Sequence, residues 1–483
     1  MIIPKPNKIE YLDEPSYLLK KGTNPLESIR TYTFDGALKS EEYALKVTSS
    51  GAEITYGDNL GLERAKATLT ALATLGKGEI QAVKIEDSPR IPMRVYMMDV
   101  GRYFFSKEEI FKQIDYIALY KFNYLHLHLT EDQGWRVEIK KYPKLTEIGS
   151  RRYRTHVRLK EHKGYYTQEE LKEIVEYAHS KGIKVIPEID VPGHFQSALA
   201  SYPELGCFGR KVKVAENFGV KFDVACIGKE NTVGFIKDVI TELAEIFTDE
   251  YFHVGGDEVP SERWKLCPDC KKKYESLGCK NYAEYQAHFT NELAEHVISL
   301  GKTPIAWNES DPTGLVDERV VWCAWDIDYD NPKFKAELER GRKVINAKTE
   351  PYYLDLPYGI NSLERVYDYE ADVLGENLLG AELCLWTELV PDVKTARKKA
   401  FPRLLAGAER LWSVDKDYSD FERRLGEQGE ILRAFDVKPT PKWKYNPGAV
   451  VTFFSKLWWA RRQLYWAGLE NIITNAIVKA KAK

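Results

Sequence analysis

Between Arg90 and Trp412 short apolar runs alternate with amphipathic stretches, and no other feature of the sequence limits the fold so strongly. Eight runs have strand character: 93–100 (MRVYMMDV), 123–130 (NYLHLHLT), 183–190 (IKVIPEID), 251–257 (YFHVGGD), 303–307 (TPIAW), 320–325 (VVWCAW), 343–348 (KVINAK) and 378–386 (LLGAELCLW). Most are separated by segments such as SKEEIFKQIDYIALYK, TQEELKEIVEYAHSKG and NTVGFIKDVITELAEIF, whose apolar residues recur at helical spacing. Strands joined by helical crossovers build a parallel sheet, and eight such units predict an α/β chain closed into a (β/α)8 TIM barrel. The last helix is expected over 393–412, VKTARKKAFPRLLAGAERLW.

The pattern changes at both ends. Residues 43–57, YALKVTSSGAEITYG, read as two strands around a Ser-Ser-Gly turn, and 59–76, NLGLERAKATLTALATLG, as a helix stopped by glycine. We therefore expect a small α/β domain over 1–90, a catalytic barrel over 91–430 and a C-terminal extension over 431–483. The extension has helical composition and a broad aromatic stripe in AVVTFFSKLWWARRQLYW. Its expected role is to dock on the barrel or to join a second copy as a homodimer.

A formal net charge of −3 with no long basic run argues against a nucleic-acid partner. No stretch approaches the ~18 apolar residues of a membrane span, and MIIPKPNKIEYLDE lacks a basic segment followed by an apolar one. The expected location is cytoplasmic.

In a barrel of this kind the chemistry gathers at the C-terminal strand ends. Asp99, Arg102, Glu131, Asp132, Asp190, His194, Asp257, Glu258, Trp307, Trp325, Trp386 and Glu388 all fall there. Acids, one arginine and several tryptophans around one mouth describe a carbohydrate pocket: carboxylates and guanidinium for hydroxyls, flat rings for the sugar face.

The segment His253–Val259, HVGGDEV, sets two carboxylates side by side after two glycines. A retaining glycosidase normally holds its two carboxyl groups ~5.5 Å apart on opposite sides of the scissile bond. Adjacent residues cannot easily straddle an anomeric carbon. One of the pair is then free to protonate the leaving oxygen while the other serves a group on the same sugar. A 2-acetamido substituent fits, because its carbonyl oxygen can attack C1 and leave a cation that needs a nearby anion.

The ordered segments DVGRYFF, HLHLTEDQGWRVEIKKYPKLTEIGS, IPEIDVPGH, HVGGDEV, YYLD and LCLWTE resemble the family 20 glycoside hydrolases, the β-N-acetylhexosaminidases, from about Arg90 to Ser413. That family is a known exception to the two-carboxylate scheme, its nucleophile being supplied by the substrate. The resemblance implies a retaining exo-β-N-acetylhexosaminidase acting on terminal β-linked GlcNAc or GalNAc of an oligosaccharide or glycoconjugate, without a cofactor. It implies that Glu258 is the general acid and later the base, and that Asp257 orients the acetamido group. Tyr353 would bond the acetamido carbonyl, and Asp132 with His194 would stand behind Glu258. Trp307, Trp325 and Trp386 would wall the sugar, while Arg102, Asp355 and Glu388 would hold its outer hydroxyls. Two departures stand out: Glu131 replaces a second Asp, and Asn308 follows Trp307 where an acid is common.

Two other readings carry weight on residue type. His126 and His128 share a strand face and, with His194 and His253, suggest a metal-dependent barrel hydrolase. A sugar-binding protein without turnover is the other. Separately, Cys267 and Cys270, with Cys279 nearby, have the spacing of half a structural zinc site; Cys207 and Cys226 could complete it or pair with each other.

Overall fold

The computed structural model describes residues 1–154, 160–328, 330–438 and 440–461. Among them, eight parallel strands close into a barrel. They are β1 (Met93–Asp99), β2 (Tyr124–His128), β3 (Lys184–Glu188), β4 (Tyr251–His253), β5 (Thr303–Trp307), β6 (Val321–Ala324), β7 (Val344–Asn346) and β8 (Leu378–Leu385). All eight expected runs form strands, and β8 pairs with β1 to complete the ring. Every residue of β1 and β2 is buried, as a parallel sheet covered on both faces requires. The ring interior is filled from several strands by Val95, Met97, Ile186, Ile305, Cys323, Ile345 and Cys384. The mouth is thus built on a packed plug.

The register aligns Asp99 with His128, His128 with Glu188 and Glu188 with His253, which places one polar layer at the C-terminal edge of four strands. Helices Lys107–Leu119, Gln168–Ser180 and Glu230–Ala244 form where their periodicity places them. The second begins with a capping box in which Thr167 and Glu170 each bond the other's backbone N–H.

The expected helix over 393–412 is instead two, Val393–Ala400 and Arg403–Trp412. Pro402 has no N–H to continue the ladder, and Phe401 before it is extended (ψ 132°).

The N-terminal residues form a five-stranded sheet, and Tyr43–Thr48 and Gly51–Tyr56 pair antiparallel within it. Helix Asn59–Leu75 follows, capped by Asp58. This unit meets the bottom of the barrel through buried charge. Glu41 receives Arg64 at 2.9 Å, Arg94 of β1 at 2.5 Å and the Asn123 amide at 3.1 Å. Asp87 accepts from Tyr43 at 2.8 Å, Lys121 at 2.7 Å and the Trp412 indole at 3.0 Å.

Of the C-terminal extension, residues 431–434, 442–445 and 449–461 are helical, and residues 439 and 462–483 lie outside the described residues. The last of these helices rests on the loop after β7: a Cβ on Gly359 would fall 2.5 Å from that of Ser455. No helix among the described residues is long and apolar enough to cross a membrane.

Candidate active site

The two glycines of HVGGDEV answer to space as well as to backbone angle. β4 ends at His253, and the chain turns through Gly255 (φ +67°) and Gly256 (φ +102°). A Cβ on Gly255 would lie 1.9 Å from Asp190 Oδ1, and one on Gly256 2.7 Å from the Cβ of Ser310. Instead the Gly256 N–H donates to Asp190 Oδ1 at 3.1 Å. Glu258 also has a left-handed backbone (φ +49°), a costly conformation for a residue with a Cβ, and its N–H donates to Glu309 at 3.1 Å. The turn delivers both carboxylates to the barrel mouth.

His194, on the loop after β3, faces both acids. Its Nε2 lies 3.5 Å from Glu258 Oε2 and 3.9 Å from Asp257 Oδ2. Its Nδ1 lies 3.0 Å from Glu131 and 3.6 Å from Asp132. Glu131 is thus the nearer carboxylate, although Asp132 is the one the resemblance nominates. Asp132 also accepts the Gln196 N–H at 3.0 Å, which anchors the loop holding His194.

A cavity of about 340 Å³ opens above these groups, within the range of small-molecule sites. Arg102, His194, Asp257, Glu258, Trp325, Tyr353, Asp355, Trp386 and Glu388 line it. Asp132 and Trp307 do not. Trp307 lies beneath the floor, fully buried, where its indole donates to Glu188 at 2.7 Å and its ring packs 5.7 Å from Trp386. Arg102 is held by Asp99 at 3.1 Å, by Glu131 and by Glu388 at 3.6 Å, and stacks over Trp386 at 5.0 Å.

The buried polar atoms on the cavity wall that lack a hydrogen-bond partner among the described residues include Gln133 Oε1, Asp257 Oδ1, Asp355 Oδ1 and the indole N–H groups of Trp325 and Trp386. Acceptors and donors left unsatisfied around one cavity are positions for a polyhydroxylated ligand.

The site also contains residues that sequence reasoning missed. Phe218, Gly219 and Val220 reach the cavity from the long loop after β3, and Trp459 from the C-terminal helix. Asn308, at the position where an acid is common, accepts the Trp325 N–H at 3.1 Å and donates to Asp326 at 3.0 Å, fixing that tryptophan. The acid stands one residue on, at Glu309.

The electrostatics divide the two central acids. Burial, reinforced by Asp190 and Glu258, lifts Asp257 well above the usual carboxylate range. Burial also works to raise Glu258, but His194 and Arg102 outweigh it and hold that carboxyl below its ordinary value. His194 is kept protonated by Glu131 and Asp190 against the cost of its burial. Burial pushes Asp190 up to about 6, and burial with the charge of Glu388 pushes Asp355 up to about 7.

His126 and His128 of the barrel interior are partnered by carboxylates, whereas His253 Nδ1 accepts the Gly255 N–H at 3.0 Å. His126 lies 3.1 Å from Glu188 and 3.2 Å from Glu382, His253 lies 3.2 Å from Glu188, and His128 contacts Glu188 closely. This network accounts for the HLHL face as an internal support for the mouth.

A (β/α)8 barrel whose mouth combines adjacent carboxylates, a buried arginine and tryptophan rings is the framework of a glycoside hydrolase. Residues 92–415 match the glycosyl hydrolase family 20 catalytic domain, and the chain belongs to that family. It is 38% identical over 417 residues to a β-hexosaminidase of Porphyromonas gingivalis, covering 80% of this chain but only 53% of that protein, so the chain spans about half the relative's length. A β-hexosaminidase of Akkermansia muciniphila is 32% identical over 475 residues, covering 92% of this chain and 94% of that one. Among solved structures, a β-N-acetylhexosaminidase superposes with TM-score 0.83 at 31% identity, covering 92% and 98% of the two chains. A mutant Streptomyces plicatus β-hexosaminidase in complex with its product GlcNAc superposes with TM-score 0.79 at 29% identity, covering 91% and 96%.

Proposed function

We propose that this protein is a retaining exo-β-N-acetylhexosaminidase that removes terminal, non-reducing β-linked GlcNAc or GalNAc by substrate-assisted catalysis. The observation that carries this reading is the position of Asp257 and Glu258: both carboxylates lie within 3.9 Å of one imidazole nitrogen. Adjacent carboxylates held by one imidazole favour one acid serving the leaving oxygen and the other the 2-acetamido group of the same sugar, whose carbonyl oxygen would then be the nucleophile. The GlcNAc complex of the Streptomyces plicatus relative supports the sugar.

In this mechanism Glu258 gives its proton to the glycosidic oxygen as the acetamido carbonyl oxygen attacks C1. The C1–O bond breaks, the leaving group departs as an alcohol, and a cyclic oxazolinium remains. Asp257 accepts the acetamido N–H and offsets the positive charge. Tyr353, its ring 5.9 Å from that of Trp386, bonds the acetamido carbonyl across the cavity. Glu258, now a carboxylate, takes a proton from water, whose oxygen attacks C1 and restores the β configuration.

In the free enzyme the proton affinity of Asp257 exceeds that of Glu258, and the sugar corrects this. The Glu258 side chain is 42% exposed before binding, so a bound ring strips water from it and raises its proton affinity. Charge growing on the acetamido group lowers that of Asp257. Arg102, Asp355 and Glu388 close the far end around the outer hydroxyls, which makes cleavage exo-acting.

The test is hydrolysis of chromogenic β-GlcNAc and β-GalNAc glycosides, with NMR of the first-formed anomer and inhibition by a thiazoline analogue of the oxazolinium. Initial release of the β anomer, blocked by the thiazoline, is expected. Initial α anomer would remove the retaining mechanism. The reading extends to a homodimer joined along the extension, supported by the exposed Val450, Phe453, Phe454 and Leu457. Sedimentation of the full chain against one lacking residues 449–483 tests it, a dimer that persists in the shortened chain excluding this face.

A further inference from the structure

One cluster of reactive side chains takes no part in this chemistry. Cys207 and Cys226 lie on the connection after β3, Cys267 and Cys270 on the connection after β4, and the fold brings all four sulfurs within 4.8 Å of one another. The separations are 3.9 Å for Cys207–Cys270, 3.5 Å for Cys226–Cys270 and 3.6 Å for Cys226–Cys267. Four thiolates at ~2.3 Å from a central zinc, on tetrahedral corners, stand about 3.8 Å apart. A disulfide needs ~2.05 Å. Cys279, expected from the sequence to be a ligand, does not join the group. The set is completed instead by Cys207 and Cys226 across the two loops.

We propose that Cys207, Cys226, Cys267 and Cys270 form a closed tetrahedral zinc site that fastens the loop carrying His194 to the loop carrying Asp257 and Glu258. Zinc ion displaces four thiol protons and forms four Zn–S bonds, with no change in oxidation state.

The surroundings are built for close approach. A Cβ on Gly228 would lie 2.4 Å from the Cys270 backbone nitrogen, so only glycine lets the two loops meet there. The Trp264 indole donates across the join to Ala225 O at 2.9 Å, and the Ala225 N–H donates to Pro192 O at 2.9 Å, two residues before His194. The metal would therefore act on the site through backbone position, as a structural ion, with no open coordination place for substrate.

Metal analysis of the purified full chain, expressed in zinc-supplemented medium, tests this directly. About one zinc per chain is expected, released to a colorimetric chelator when a mercurial titrates the thiols. Cys226→Ser and Cys270→Ser should lose the metal, and Cys279→Ser should keep it. If the serine variants fail to fold, a thiol count on denatured wild-type protein with chelator decides: all seven cysteines should react. Fewer than about 0.1 zinc per chain overturns the proposal, as does a count of three, which would mean two disulfides in place of the site.

Discussion

The imidazole of His194 stands between two acids, 3.0 Å from Glu131 on one side and 3.5 Å from Glu258 on the other. The first keeps the ring charged, and the charge holds the second below its ordinary proton affinity. Substituting His194→Asn removes that cation, so Glu258 should keep its proton to higher pH. Because the His194 charge lowers Asp257 as well, both limbs of the kcat/KM profile, which reports the free enzyme, should move up while kcat falls. An unmoved acid limb would show that His194 does not set the affinity of Glu258.

Glu258→Gln removes the proposed proton donor and should lower kcat on alkyl glycosides by about 10²- to 10⁴-fold. The loss should shrink on dinitrophenyl glycosides, whose leaving group needs little protonation. Equal losses on both substrates would argue against the general-acid role.

Asp257→Asn keeps the shape of the side chain but cannot offset positive charge. It should slow both formation and breakdown of the oxazolinium, by about 10²-fold or more, and weaken thiazoline binding in parallel. A variant that binds the thiazoline as tightly as the wild type would separate Asp257 from charge stabilisation. Burial lifts Asp257 while His194 lowers Glu258, so the wild-type profile should be bell-shaped.

Trp459 offers a half-buried ring at the cavity wall from outside the barrel. Trp459→Ala should cost about 0.5–1.5 kcal/mol in kcat/KM on oligosaccharides, the size of one lost stacking contact. Methyl β-GlcNAc, which has no second ring to stack, should lose less. Equal effects would place the tryptophan at the bound GlcNAc itself.

Glu41, 5% exposed, holds Arg64 and Arg94 at the seam below the barrel, and their charges keep its carboxyl below the usual range against its burial. Glu41→Gln leaves two buried guanidinium groups short of a counter-charge and should cost about 3–5 kcal/mol, read by denaturant unfolding. Because the folded affinity is depressed, this stability is present above the unfolded value of 4.5 and is lost as pH falls through the folded one. The gap between wild type and variant should therefore narrow in acid.

Much of this is legible in the order of residues. Alternation places all eight strands, and strand ends place nearly all the acids and rings that meet at the mouth. Three things are not legible, for physical reasons. Trp307 ends β5 and by that position belongs to the wall, yet facing inward at that depth gives it Glu188 for a partner. Glu131 and Asp132 are neighbours in sequence, and only the turn after β2 decides which carboxylate lies nearer His194. Trp459 lies beyond the barrel, and its stripe of aromatics contains no register relative to a cavity formed elsewhere. The break at Pro402 is readable from the proline itself, though the helical periodicity on either side conceals it.

The seam where β8 pairs with β1, Gly380 opposite Met93, sets an order of events during synthesis. A nascent chain that has not yet emerged past residue 385 holds β1 with an open edge on a wholly buried strand, the kind of surface that pairs with other chains. Closure waits on contacts separated by most of the polypeptide, which makes folding slow and exposes intermediates to aggregation. Translation speed near the last strand, and access to chaperones before it appears, should therefore affect the yield of active protein.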